Sequence, residues 1–204
     1  MADDPFSIQA RLNYANVLMA AGQLEDAKAQ LLRAVELSPE WQAPVDVELT
    51  RILLVQKRYA EALEHLVEWP PGLDQDTGLA IVHRAIGNGA EADAAIARLA
   101  AGTGPGSAVR LSEVYAQSGD PDEAFRWMAR AYERLGHNAW LSPQWHWLYP
   151  LRFSPLLTPL HEDPRWAHIR MRGMPPGAEA VLAVLPKQFE PEVKNGTGRM
   201  ATTP

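Results

Sequence analysis

The chain reads Gly22-Gln-Leu-Glu-Asp-Ala-Lys-Ala-Gln-Leu-Leu-Arg-Ala34 near its start, and Gly119-Asp-Pro-Asp-Glu-Ala-Phe-Arg-Trp-Met-Ala-Arg-Ala131 further on. In both stretches an alanine follows the glycine by five residues, a large apolar residue comes four later, and a second alanine three after that. Apolar residues three and four apart predict helices, and glycine can take the left-handed conformation that ends a helix. Both stretches therefore predict a turn followed by the second helix of a pair.

The same spacing extends to four units, which begin near residues 8, 43, 73 and 105 and cover 8–41, 43–71, 73–101 and 105–135. Lys57 stands at the turn of the second unit, where the first and fourth have glycine. Small residues recur where the two helices of a pair would touch: Ala15, Thr50, Ala80 and Ser112 on the first helices, and Ala27, Ala62 and Ala124 on the second. One pair cannot bury both of its faces, so neighbouring pairs are expected to stack.

This spacing resembles the tetratricopeptide repeat, a helix pair of about 34 residues. The resemblance covers residues 8–135, with Arg11 where the family often has tryptophan. It implies an all-α fold, a right-handed α-α superhelix of about four helix pairs. It also implies a non-catalytic scaffold that binds a protein or peptide in its concave groove, as an adaptor or assembly component.

Composition changes after residue 135. Residues 136–185 hold four of the seven tryptophans, and Ser142-Pro143, Ser154-Pro155 and Asp163-Pro164 each read as a helix N-cap followed by proline. We expect short helices there that form an aromatic cap on the last repeat. Residues 186–204 are polar and predict a disordered tail. The stretches 120–132, 153–157 and 163–166 also resemble the ends of repeat regions in bacterial multidomain signalling proteins.

The resemblance places the first helix of each pair on the concave surface, and helical geometry then selects the side chains that face the groove. The predicted groove residues are Asn13, Asn16, Glu48, Arg51, Thr77, Arg84, Arg110, Glu113 and Gln117. Asparagine can bond a peptide backbone as donor and as acceptor, and arginine can hold a carboxylate with two parallel bonds. Some family members clamp a C-terminal carboxylate, but Leu12 and Glu48 replace two residues of that clamp, so we do not expect it.

A different function is predicted by the aromatic residues near the end of the repeats. Tyr132, Trp140, Trp145, His146 and Trp166 could enclose a small ligand between the last repeat and the cap. Aromatic walls with a few polar groups suit such a pocket. The alternative function is therefore a small-molecule sensing or enzyme-accessory domain.

Composition narrows the remaining function classes. The net charge is −6 without clustered basic residues, which argues against nucleic acid as a partner. The sequence has no cysteine and no histidine pair at metal-ligand spacing, so we expect no metal, no cofactor and no catalytic group. We interpret Asp74 and Asp76 as solvated carboxylates at a helix cap or a turn.

Location and assembly are less constrained by the sequence. No apolar run is long enough to insert into a membrane. The cytoplasm is the predicted compartment, with the periplasm as the alternative if the chain is a piece of a longer protein. The sequence leaves the partner's identity and the oligomeric state open.

Overall fold

A computed structural model describes residues 5–135 and 150–171, and within these ranges the chain is helical without any strand. Eight helices follow one another in pairs, and two short helices come after them. Their bounds are α1 Pro5–Ala20, α2 Leu24–Leu37, α3 Gln42–Val55, α4 Tyr59–Val67, α5 Leu73–Ala85, α6 Gly89–Ala101, α7 Pro105–Gln117, α8 Pro121–Leu135, α9 Pro150–Phe153 and α10 Arg165–Met171. Short 3₁₀ helices span Pro39–Trp41 and Pro155–Leu160. The all-α solenoid predicted from the sequence is confirmed.

The same turn joins the two helices of every pair. Gly22, Gly87 and Gly119 have φ of 77°, 83° and 74°. At each turn the residue at positive φ donates its amide to a carbonyl three residues back, and the next residue donates to one five residues back, as Gln23 does to Leu18 at 2.8 Å. These bonds satisfy carbonyls that the helix end leaves open.

Lys57 makes this turn in the second pair without glycine. Its φ is 59°, and its amide donates to the carbonyl of Leu54 at 3.0 Å while Arg58 donates to Leu53 at 2.9 Å. The bonds match those of the glycine turns, so the backbone geometry is retained although the side chain disfavours it. The second pair therefore carries local strain that the other three lack.

Close approach of the helices explains the recurring small residues. All seven small positions predicted from the spacing are buried, from Ala15 in α1 to Ala124 in α8. Between the second and third pairs Gly78 allows a close approach, because an added Cβ there would overlap the side chain of Leu66. The buried apolar residues of the pairs form three neighbouring clusters along the solenoid.

The first helices of the pairs lie side by side, with α1 against α3, α3 against α5, and α5 against α7. We call the surface that these four helices share the inner face. Residues 151–160, which we call the inner-face segment, lie on it: the 3₁₀ helix contacts α1, α3 and α7, and α9 contacts α1. This segment of the predicted cap thus reaches from the fourth pair back to the first.

Trp166 is the one tryptophan of the predicted cap that lies within the described residues. It is buried in a cluster with Phe125 and Met128 of α8 and with Leu157 and Leu160 of the inner-face segment. Trp140, Trp145 and Trp147 lie outside the described residues. The tryptophan-rich cap therefore stays a prediction, as do the domain limits 136–185 and 186–204.

Candidate functional site

The nine predicted groove residues lie on α1, α3, α5 and α7, but they differ in exposure. Asn13 is exposed, Asn16 is half-buried and Arg84 keeps 35% of its side chain exposed. Thr77, Arg110 and Glu113 are buried, and the Glu113 side chain has no exposed surface. The inner face therefore has an open part on α1 and α5 and a covered part centred on α7.

An ion network joins three first helices in the covered part. Asp74, in the first turn of α5, accepts from Arg51 of α3 at 2.9 Å and pairs with Arg110 of α7 at 2.7 Å. Glu48 lies 3.6 Å from Arg51 on the same helix, and its Oε2 atom is buried without a hydrogen-bond partner among the described residues. Asp74 thus links the second, third and fourth pairs electrostatically.

The charges of this network shift the pKa values of Asp74 and Arg51. Burial alone raises the pKa of Asp74, but Arg110 and Arg51 together outweigh that effect and hold its pKa below the ordinary aspartate value. Burial likewise lowers the pKa of Arg51, whereas Glu48, Glu113 and Asp74 raise it above the ordinary arginine value. Asp74 and Arg51 are therefore ionised at neutral pH.

Glu113 connects the network to the inner-face segment. Arg110 donates to both of its carboxylate oxygens, at 2.9 and 3.1 Å. Ser154 donates its hydroxyl to Glu113 Oε1 at 2.6 Å, and the Ser154 side chain is itself buried. A buried carboxylate needs such partners, because an unpaired buried charge is strongly unfavourable.

Main-chain and apolar contacts also hold the inner-face segment. Gln117 donates its side-chain amide to the carbonyl of Leu156 at 2.7 Å. The side chain of Leu156 is buried in a cluster with Leu54, Leu66 and Leu111. A cavity of about 10 Å³ remains beside Leu156 and Arg51, room for roughly one water molecule.

Arg84 lies outside the ion network. Its guanidinium is 3.9 Å from Asp93 of α6 and lies over the ring of Tyr115 at 5.3 Å from the centroid. Asn13 accepts from Gln9 on the same helix at 3.2 Å. These side chains face solvent at the part of the inner face that the segment leaves uncovered.

Asp74, Ser154 and Leu156 are part of this site although the sequence did not place them there. Asp74 lies in the first turn of α5, as a turn residue should, yet its carboxylate bridges two arginines instead of facing only water. Ser154 caps the 3₁₀ helix, as its Ser-Pro step predicts. The sequence signal for the network is an aspartate, Asp74, in the first turn of one first helix, together with Arg51 and Arg110 in the adjacent first helices.

The alternative aromatic pocket is only partly described. Tyr132 and Trp166 are buried in the same cluster, and the Trp166 ring stacks at 4.5 Å from that of His161. Trp140, Trp145 and His146 lie outside the described residues. The small-molecule pocket therefore stays a prediction.

Metal binding and membrane insertion can be considered for residues 5–135 and 150–171. Within these ranges no group of three or more histidine, aspartate or glutamate side chains is arranged to hold a metal ion. No helix there is both long enough and apolar enough to cross a bilayer.

Comparison with known proteins supports the repeat assignment directly. The family model described as tetratricopeptide repeat matches residues 8–40, which cover most of α1, all of α2 and the turn at Gly22. No curated protein and no solved structure matches the chain. Repeats of this family generally mediate protein–protein interaction and are usually non-catalytic. Residues 8–40 thus match the tetratricopeptide repeat, and the described chain is a helical-repeat protein.

Proposed function

We propose that this protein is a non-catalytic scaffold that binds a segment of a partner protein on its inner face, as an adaptor or assembly component. One observation carries the proposal beyond the family match: the inner face already holds a short segment of the chain through side-chain, main-chain and apolar contacts. A surface that binds one such segment has the donors, acceptors and apolar hollows to bind another.

The open part of the inner face is where a partner makes its first contacts. Asn13 and Asn16 of α1 offer amide donors and acceptors, and Arg84 of α5 offers a guanidinium to a carbonyl or carboxylate. Arg51 and Arg110 instead face carboxylates of their own chain. We therefore assign recognition to the open residues and the positioning of α3, α5 and α7 to the ion network.

The absence of cysteine from the sequence makes a site-specific test direct. Asn13→Cys and Arg84→Cys each carry a photo-crosslinker on the inner face, and Lys28→Cys and Glu64→Cys carry it at exposed positions on the second helices. We expect one partner to crosslink from both inner positions and from neither outer position. Equal crosslinking from all four, or crosslinking from the outer pair alone, would contradict the proposal.

The compartment is a separate matter. The cytoplasm remains the compartment we propose, and the periplasm the alternative. Cell fractionation of the tagged chain distinguishes the two.

A further inference from the structure

The inner-face segment is bound in the way a peptide ligand is bound. It supplies a hydroxyl to Glu113, a carbonyl to Gln117 and a leucine side chain to an apolar hollow. We propose that this segment is a resident ligand of the inner face, and that the partner displaces it with a segment of the same chemistry: a serine or threonine followed by proline and two leucines. This inference rests on the proposed function, since it names the partner's recognition element.

Glu113 is the residue that requires a hydroxyl group in the bound segment. Its carboxylate has no exposed surface, so water cannot replace a missing donor, and Arg110 alone does not saturate its oxygens. Ser154 fills that place at 2.6 Å. A segment with alanine there leaves a buried charged acceptor short of a donor, which is a strong ground for discrimination.

Proline and leucine are favoured by the residues next to Ser154. Pro155 has no amide hydrogen that would need a partner in the buried setting, and the amide of Leu156 donates to Ser154 Oγ at 3.3 Å. Leu156 and Leu157 are buried in two different apolar clusters, one reaching α3 and α4 and the other α8. Two adjacent leucines therefore anchor the segment in two hollows at once.

Charge on the inner face disfavours an anionic ligand at this place. Arg51 and Arg110 are outnumbered by the carboxylates of Glu48, Asp74 and Glu113. Glu48 Oε2 is a buried acceptor without a hydrogen-bond partner among the described residues. These carboxylates would repel an acidic side chain or a C-terminal carboxylate, whereas a neutral hydroxyl group can donate a hydrogen bond to them.

The partner's segment and the inner-face segment compete for the same site, because the site has no room for both. The cavity beside Leu156 has room for about one water molecule, so no second segment enters while the inner-face segment is in place. The apparent dissociation constant then equals the intrinsic constant divided by the fraction of chains whose segment is detached. A substitution that weakens the segment without altering the face should tighten binding in trans.

The test uses the full-length chain and a fluorescent synthetic peptide with the sequence of residues 150–162. Ser154→Ala removes the hydrogen bond to Glu113, and Leu156→Ala removes the buried leucine side chain. Thr158→Ala is the matched control, because Thr158 is exposed and donates its hydroxyl to the carbonyl of Pro155 within the same segment. Circular dichroism establishes that each variant is folded. Ser154→Ala is the mild variant, since Glu113 keeps Arg110.

We expect the peptide to bind the Ser154→Ala chain about tenfold more tightly than the wild-type and Thr158→Ala chains, the effect of a lost bond to a charged group. The Leu156→Ala chain should bind the peptide at least as tightly, because its segment loses a buried leucine side chain. A peptide with alanine for its serine should bind the Ser154→Ala chain about tenfold more weakly than the serine peptide. Equal affinity of the serine peptide for the wild-type chain and the folded Ser154→Ala chain would overturn the inference.

Two other outcomes separate this inference from the proposed function. If Ser154→Ala chains form dimers in size-exclusion chromatography and ignore the peptide, the segment binds a second copy rather than a partner, and the inference is overturned. If the photo-crosslinked partner is still captured from Asn13 and Arg84 while all peptide affinities are unchanged, the scaffold function stands and only the recognition element is wrong. Failure of both experiments removes both proposals.

Discussion

Ser154 donates a hydrogen bond of 2.6 Å to Glu113, a fully buried carboxylate 41 residues earlier in the chain. The bond fastens the inner-face segment to α7, the helix that is buried along most of its length. It also completes the set of partners that lets a charged group remain inside the protein. The stability of the solenoid and the closure of its inner face are therefore coupled at this pair.

Glu113→Ala should destabilise the fold. The change leaves Arg110 without the carboxylate that accepts two of its hydrogen bonds and leaves Ser154 without its acceptor, and breaking a buried pair by removing one partner costs about 3–5 kcal/mol. Asp74 still compensates part of the arginine charge, so we expect the lower end, about 3 kcal/mol. Urea unfolding measures this loss against Glu64→Ala, an exposed residue of α4, and a loss as small as that of the control would mean that Glu113 is not held as described.

Lys57→Gly should stabilise the second helix pair. Lysine at φ 59° bears a left-handed conformation that costs roughly 1–2 kcal/mol, while glycine loses about 0.5–1 kcal/mol more than other residues in chain entropy on folding. The net gain is about 0.5–1 kcal/mol, seen as a raised thermal midpoint. The reciprocal change, Gly119→Lys, should lower the midpoint by a similar amount. Destabilisation by Lys57→Gly would show that the lysine side chain makes a favourable contact at this turn.

How far the sequence predicts the structure depends on the range of the interactions involved. The four turns follow from local spacing, and even Lys57 takes the conformation that its position in the repeat requires. Glu113 was correctly assigned to a first helix, but its burial depends on Ser154, and no local pattern shows where a segment 41 residues away will pack. The bridge at Asp74 is also non-local, because it needs α3, α5 and α7 to be aligned first.

Gly78→Ala should destabilise the contact between the second and third pairs. Alanine is normally better than glycine inside a helix by about 0.5–1 kcal/mol, but here the new Cβ would overlap Leu66, which is fully buried and cannot move aside without disturbing its neighbours. Overpacking of this kind costs about 1–3 kcal/mol. Gly89→Ala is the control, since an added Cβ meets no atom within 4 Å there. If both variants are equally stable, the helices are less closely packed than the geometry indicates.

Asp74 should make the protein sensitive to acid. Its pKa in the folded chain is lowered by Arg110 and Arg51 against the opposing effect of burial, so the unfolded chain binds a proton at this residue at higher pH than the folded chain does. The stabilisation from Asp74 is therefore fully present above the unfolded value of about 3.9 and is lost as pH falls through the lower folded value.

Asp74→Asn removes this contribution at every pH. We expect wild type to be more stable than Asp74→Asn at pH 7, and the difference in unfolding free energy to shrink as pH falls below about 4. Asp26→Asn, an exposed carboxylate in the first turn of α2, corrects for the change in net charge. Urea unfolding at several pH values measures both differences. A wild-type advantage that stays constant down to acid pH would mean that Asp74 stabilises the solenoid by packing or neutral hydrogen bonding, and not by its charge between Arg51 and Arg110.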